Sequence, residues 1–181
     1  MKCKMLQRFE EKEEEIQGTI AIADLPKGGR ILDVGSGRGW MAVSLAKSGY
    51  KVVTIEEHVE FQAGAKELAR ILGVDETIEF KVGSITGLSF DNESFDGVVS
   101  YLTLHHTADI ESAVEKMIVL CKKGGKILLV ELTKAGMEKV SKGHTNHIHK
   151  PVDPSPILNK KHMDFQVFTS ELTNVYVCRK I

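Results

Sequence analysis

The sequence predicts a doubly wound α/β fold whose mainly parallel, seven-stranded sheet ends in an antiparallel C-terminal hairpin. Short aliphatic and β-branched runs alternate with helical stretches of about ten residues, the pattern of βαβ crossovers that cover both faces of a parallel sheet. The last two apolar runs instead alternate apolar with polar residues about a short polar turn, which reads as a hairpin.

Each element has its own signal. Leu6, Phe9, Ile16, Ile20 and Ala23 recur at a rough helical period among many glutamates, so a leading helix covers about 6–23 with Glu10 to Glu15 on its solvated face. Pro26, Gly28 and Gly29 break the chain before Arg30–Val34, the first strand. Met41, Ala42, Leu45 and Ala46 place a helix from Trp40 to Ser48, which Gly49 stops. Lys51–Ile55 is the second strand, and the Ala-rich period from Phe61 to Leu72 is a helix closed by Gly73. Ile78–Val82, Gly97–Ser100 and Lys126–Glu131 read as strands three to five, with a helix over Ile110–Leu120. From Thr133 to Lys161 three prolines and little apolar periodicity predict a loop or a short broken helix. Asp164–Thr169 and Asn174–Arg179 form the hairpin about Ser170–Thr173.

The 181 residues suit one domain with a core that needs neither disulfide nor metal. The expected division is a leading helix at 1–26, a cofactor-binding core at 27–131, a variable loop at 132–163 and the hairpin at 164–181. Twenty-four basic against 25 acidic side chains give a net charge of -1, which supplies no global field to gather DNA or RNA. Cys3, Cys121 and Cys178 are odd in number and far apart, so neither a disulfide framework nor a thiolate metal site is indicated and a reducing, cytoplasmic setting fits. No apolar run approaches bilayer-spanning length, so no membrane association is expected.

The most informative segment is Asp33-Val-Gly-Ser-Gly-Arg-Gly39, between the first strand and its helix. Gly35, Gly37 and Gly39 allow a tight turn and a close approach of backbone to a ligand, with Ser36 inside the same bend. Two nucleotide-like cofactor classes compete here, a nicotinamide dinucleotide and S-adenosylmethionine. In the dinucleotide loop the third glycine follows the second by three positions, and Trp40 stands there in this chain. A carboxylate at Asp33 would oppose a pyrophosphate but suits the amino group of a methionine moiety. Glu56, with Glu57 beside it, ends the second strand, where a carboxylate can accept from both ribose hydroxyls. Gly83-Ser84-Ile85 ends the third strand with a small polar and an aliphatic residue suited to an adenine edge and face.

Together with Leu88-Ser-Phe-Asp-Asn-Glu-Ser-Phe-Asp-Gly-Val-Val-Ser-Tyr-Leu-Thr-Leu-His-His106 and Lys122-Lys-Gly-Gly-Lys-Ile-Leu128, these segments resemble the class I S-adenosylmethionine-dependent methyltransferases, particularly the group with ubiquinone and menaquinone biosynthesis enzymes. The resemblance covers about 27–131 and implies the Rossmann-like fold of that class. It further implies that Gly35, Gly37 and Gly39 line the methionine end, Glu56 holds the ribose, Ser84 and Ile85 flank the adenine, and the backbone near Ser100 and Tyr101 meets the methionine portion. The family usually carries Asp where this chain has Ser84, a change that bears on affinity. The tail is also shorter than in many relatives, leaving few residues for a substrate lid.

The implied activity is methyl transfer to a small-molecule acceptor. Nucleic-acid methylation is disfavoured, because Ser100-Tyr-Leu-Thr103 stands where exocyclic-nitrogen enzymes carry Asn or Asp before Pro-Pro-aromatic, and no Pro-Cys nucleophile exists. A non-catalytic S-adenosylmethionine-binding module or activating subunit is the alternative, and a homodimer or a partner subunit stays open. His105, after the fourth strand, is the candidate base. His144, His147 and His149 lack a further ligand, so they read as a solvated loop before a metal site, and a role in binding the acceptor stays open.

Overall fold

The computed structural model describes residues 4–141 and 150–181; His144, His147 and His149 therefore lie outside the described residues, as does Cys3. The sheet has seven strands in the order β3-β2-β1-β4-β5-β7-β6, where β1 is Arg30–Val34, β2 Lys51–Glu56, β3 Ile78–Val82, β4 Phe95–Tyr101, β5 Cys121–Leu132, β6 Asp164–Thr169 and β7 Thr173–Arg179. β1 to β5 run parallel, while β7 pairs antiparallel with both β5 and β6.

The continuous apolar runs of the central strands follow from burial on both faces. Alternate residues of β5 divide between two cores: Leu128 and Val130 face one, Ile127 and Leu129 the other. On the first face pack α1 (Lys4–Ala23), α2 (Trp40–Lys47) and α3 (Val59–Ile71), through Phe9, Ile16, Leu45 and Leu68. On the second lie α4 (Ile110–Leu120) and α6 (Ser155–Lys160), through Val114, Met117, Leu120 and Leu158. Helix α4 begins where its sequence signal put it, because Asp109 caps it by accepting from Ser112 N at 3.0 Å.

One stretch differs from the expectation. The segment Thr133–Lys161 holds two helices, α5 (Lys134–Ser141) and α6, rather than a loop or one broken helix. Thr133 Oγ1 accepts from Gly136 N at 3.1 Å, and Gly136 lets α5 close on the β6–β7 turn, since a Cβ there would lie 2.1 Å from Leu172 O. Among the described residues no helix is long and apolar enough to cross a membrane.

Candidate functional site

The chain order reverses about β1, which pairs with β2 on one side and β4 on the other, so a crevice opens at the carboxyl ends of these strands. The sequence-predicted residues converge there from four strand ends. The N–H groups of Gly35 and Ser36 both donate to Ile55 O at 2.9 Å, and Gly83 N donates to Glu56 O at 2.8 Å, tying the three exits together.

The three loop glycines are needed for three different reasons. All have positive φ, +81° at Gly35, +47° at Gly37 and +81° at Gly39. A Cβ on Gly35 would lie 2.2 Å from Thr103 Cγ2, so glycine lets the segment after β4 seat on the loop. A Cβ on Gly39 would lie 2.6 Å from Ala65 Cβ, so glycine lets α3 close against the start of α2. At Gly37 nothing lies within 4 Å, and this crest is the open part of the bend.

Two carboxylates flank that crest. Glu56 Oε2 accepts from Gly37 N at 2.8 Å and Oε1 from His58 N at 3.0 Å, which pins the side chain at the loop while each oxygen keeps a further lone pair. Asp33 is 1% exposed; Thr54 Oγ1 donates to its Oδ2 at 2.7 Å, and its Oδ1 is buried without a hydrogen-bond partner among the described residues. Burial pushes the Asp33 carboxyl up to about 7, against the opposing Thr54 bond and with help from the charge of Glu56. Ser36 Oγ and Ser100 Oγ are likewise buried without partners among the described residues.

The remaining predicted residues sit less directly. Ser84 Oγ accepts from Gly87 N at 2.9 Å and so caps its own turn. Ile85, expected to pack an adenine face, is only 5% exposed and joins the core beneath α4, because Leu88 and Phe90 fold back over the same cluster. Glu57 is exposed. The Tyr101 hydroxyl donates to Glu15 Oε1 of α1 at 3.2 Å, and burial first, then the Glu15 charge, lifts its phenol above the usual range.

His105 lies on a 3-10 turn, Leu104–His106, reached through Leu102 at φ +54°, a strained conformation for a branched side chain. Its side chain is 7% exposed, its ring centroid is 4.2 Å from that of His106, and its Nδ1 lies 2.7 Å from Oε2 of Glu131, which is fully buried. Glu131 is not among the sequence-predicted site residues. Its signal was a carboxylate closing the apolar run Ile127–Val130, a position that demands a partner. Cys121 and Cys178 are buried and unpaired, with thiols pushed up to about 11 and about 12 chiefly by burial. Among the described residues no group of three or more His, Cys, Asp or Glu could hold a metal ion.

The donor set suits a cationic, hydroxyl-rich ligand. Glu56 and Asp33 would repel a diphosphate, whereas the unsatisfied Asp33 Oδ1 and Ser36 Oγ can take the donors of an ammonium, and the spare lone pairs of Glu56 can take ribose hydroxyls. S-adenosylmethionine carries both groups, so the residues present fit it.

A family model described as a methyltransferase domain matches residues 32–129. The uncharacterized methyltransferase YcgJ of Bacillus subtilis is 27% identical over 157 residues, 87% of this chain and 61% of that protein. A demethylmenaquinone methyltransferase of Clavibacter sepedonicus is 32% identical over 138 residues, 76% of this chain and 54% of that protein. The chain thus spans between half and two thirds of the length of these curated relatives. In fold it is similar to the crystal structure of a putative methyltransferase from Bacillus halodurans, with a TM-score of 0.75 at 16% identity over 93% of this chain and 100% of the other.

Proposed function

This chain belongs to the methyltransferase domain family, whose cofactor is S-adenosylmethionine, and we propose that it transfers a methyl group from that cofactor to a small-molecule acceptor. The observation that carries the reading is the buried Asp33 Oδ1, without a hydrogen-bond partner among the described residues, beside a glycine bend already bonded to Glu56. Those groups answer a cationic amino acid joined to a ribose.

In this reading Glu56 accepts from the ribose hydroxyls. Asp33, Ser36 and the open crest at Gly37 receive the methionine end, together with the backbone at Ser100 and Tyr101. Ser84 faces the adenine edge. When bound, S-adenosylmethionine supplies a methyl on a sulfonium that departs as a neutral thioether. What the protein must add is an aligned acceptor and the exclusion of water, and those account for much of the rate. His105 is the catalytic residue that takes up a proton where the acceptor carries one. The name of the Clavibacter relative supports a small organic acceptor, and the near-zero net charge supports it over a nucleic acid.

Isothermal titration with S-adenosylhomocysteine tests the proposal. Wild type binds, and Glu56→Ala weakens binding by roughly 10- to 100-fold, the range for hydrogen bonds to a charged group. Wild-type protein that binds neither S-adenosylmethionine nor its demethylated product refutes it.

A further inference from the structure

The two edges of the sheet are finished differently. β3 forms one edge and carries Glu79 and Lys81, whose charged ends meet at 2.6 Å; charge of this kind keeps an edge from pairing with another chain. β6 forms the other edge and has none of those devices. Asp164-Phe-Gln-Val-Phe-Thr169 holds no lysine and no proline, its ladder with β7 runs without a bulge, and Val167 and Phe168 are 43% and 42% exposed.

The hairpin tells which backbone groups that edge presents. Ser170 N donates to Thr173 O at 2.8 Å, so the bonded pairs before it are Phe168 with Val175, Gln166 with Val177 and Asp164 with Arg179. The N–H and C=O groups of Phe165, Val167 and Thr169 therefore point away from β7, with no strand beyond them among the described residues.

This edge is complementary to a second copy of itself. Antiparallel pairing about a two-fold axis at Val167 sets Val167 opposite Val167 of the copy and Phe165 opposite Thr169, so every outward N–H meets an outward C=O. A register centred one residue either way leaves some of those groups unmatched. The same register covers the exposed side chains, Val167 packing on its own copy on one face and Phe168 on Gln166 on the other. The charges agree with it. Parallel pairing would set Asp164 against Asp164, whereas the antiparallel seam sets it against Ser170. Glu171 of the copy then comes to the end of β6 where His162 is exposed and Arg179 stands opposite Asp164.

We propose that β6 is the seam of a two-fold homodimer, in which two copies join edge to edge into one continuous sheet. The pairing uses up the free edge of both copies and β3 is guarded, so assembly stops at two. The contact is one pair of strands, at the small end of specific interfaces, and half-association on the order of 10 μM is expected.

Sedimentation equilibrium of the full chain from about 1 to about 300 μM tests this, the mass passing from monomer to dimer and no further. Val167→Lys sets two ammonium groups against each other at the axis, and Val167→Pro removes an N–H that β7 does not use. Each should raise the dissociation constant by about 10-fold or more, with the circular dichroism of the folded chain unchanged. In amide exchange Gln166 and Phe168 are protected at every concentration, while Phe165, Val167 and Thr169 gain protection only as the dimer forms. In a Cys3→Ser background with copper-phenanthroline as oxidant, Val167→Cys cross-links to its own copy, because Cα atoms of a hydrogen-bonded pair lie about 5.5 Å apart. Thr169→Cys, which faces Phe165, does not. A chain that stays monomeric across the range, one that grows beyond a dimer, or a dimer insensitive to both substitutions at Val167 overturns the proposal. So does added mass that proves to be a different polypeptide, or protection of the Phe165, Val167 and Thr169 amides in the monomer. A dimer weakened by both substitutions in which Val167→Cys fails to cross-link overturns the register.

Discussion

Replacing Gly35 with alanine probes the contact on which the crevice is built. The new methyl would lie 2.2 Å from Thr103 Cγ2, 2.5 Å from its Oγ1 and 2.9 Å from its Cβ, at a φ of +81°. The left-handed backbone costs about 1 kcal/mol for a residue with a Cβ, and forcing a methyl into a filled space typically costs about 1–3 kcal/mol more. Thr103 cannot simply retreat, because its N–H is bonded to Glu131 and the preceding residue is already strained. The expected loss is therefore about 2–4 kcal/mol. Gly37→Ala in the same bend meets no atom within 4 Å and should lose only about 1 kcal/mol, from its backbone alone. Urea titrations compared at equal m-value measure both. Thr103→Ala removes the two nearest atoms, so in the double variant with Gly35→Ala the losses should fall short of their sum by about 1 kcal/mol. Equal losses at Gly35 and Gly37, or strict additivity with Thr103→Ala, would show that the close approach is not what the glycine serves.

Asp33 gives a pH signature. Its carboxyl, lifted from 3.8 to about 7 in the folded chain, binds more protons there than in the unfolded chain between those values. Its contribution therefore makes stability fall as pH rises from about 4 to about 7 and then level off, by an amount on the order of 4 kcal/mol, and Asp33→Asn should flatten that slope in thermal or urea unfolding. If an ammonium docks against Asp33, S-adenosylhomocysteine binding near pH 6 releases a proton, which titrations in buffers of different ionisation enthalpy detect; binding enthalpies independent of buffer would refute the docking. Gly136→Ala drives a methyl to 2.1 Å from Leu172 O, so amide exchange should speed up in α5 and at residues 170–173 while the β1–β4 core keeps its protection. Alkylation of Cys121 and Cys178 should proceed only as fast as the chain unfolds, since both thiols are buried and their protonated form is favoured.

Legibility in the sequence tracked how local each signal is. β1 and β3 fall on the bounds that their β-branched runs suggested, and the cofactor bend was readable because glycine spacing is a backbone demand written in consecutive residues. β5 is six residues longer than the run Lys126–Glu131, five of them at its start, because Gly124 and Gly125 look like a turn, yet the strand passes through them with a shift in register, Phe95 opposite Cys121 and then Gly97 opposite Lys126. Helix α5 escaped notice because its buried anchor is largely Met137 alone and its cap, Thr133, precedes no periodic run. The sequence offers Ile85 as an aliphatic at a strand end, and the fold adds that Leu88 and Phe90 pack on the same cluster. Glu131 was hidden for a related reason: its partners lie 26 to 28 residues away, and nothing in the run Ile127–Val130 names them.

The placement of β7 has a consequence for β5. β6 meets the sheet only through β7, and β7 lies against β5 with Asn174 opposite Glu131 and Thr173 opposite Leu132. A slip of that ladder by one position would carry alternate residues of β7 to the wrong face, so the hairpin's register is bound to the buried core. The far hairpin thus braces the outer flank of β5, whose inner flank is fixed by its parallel ladder with β4, so the strand that ends in Glu131 is held from both edges.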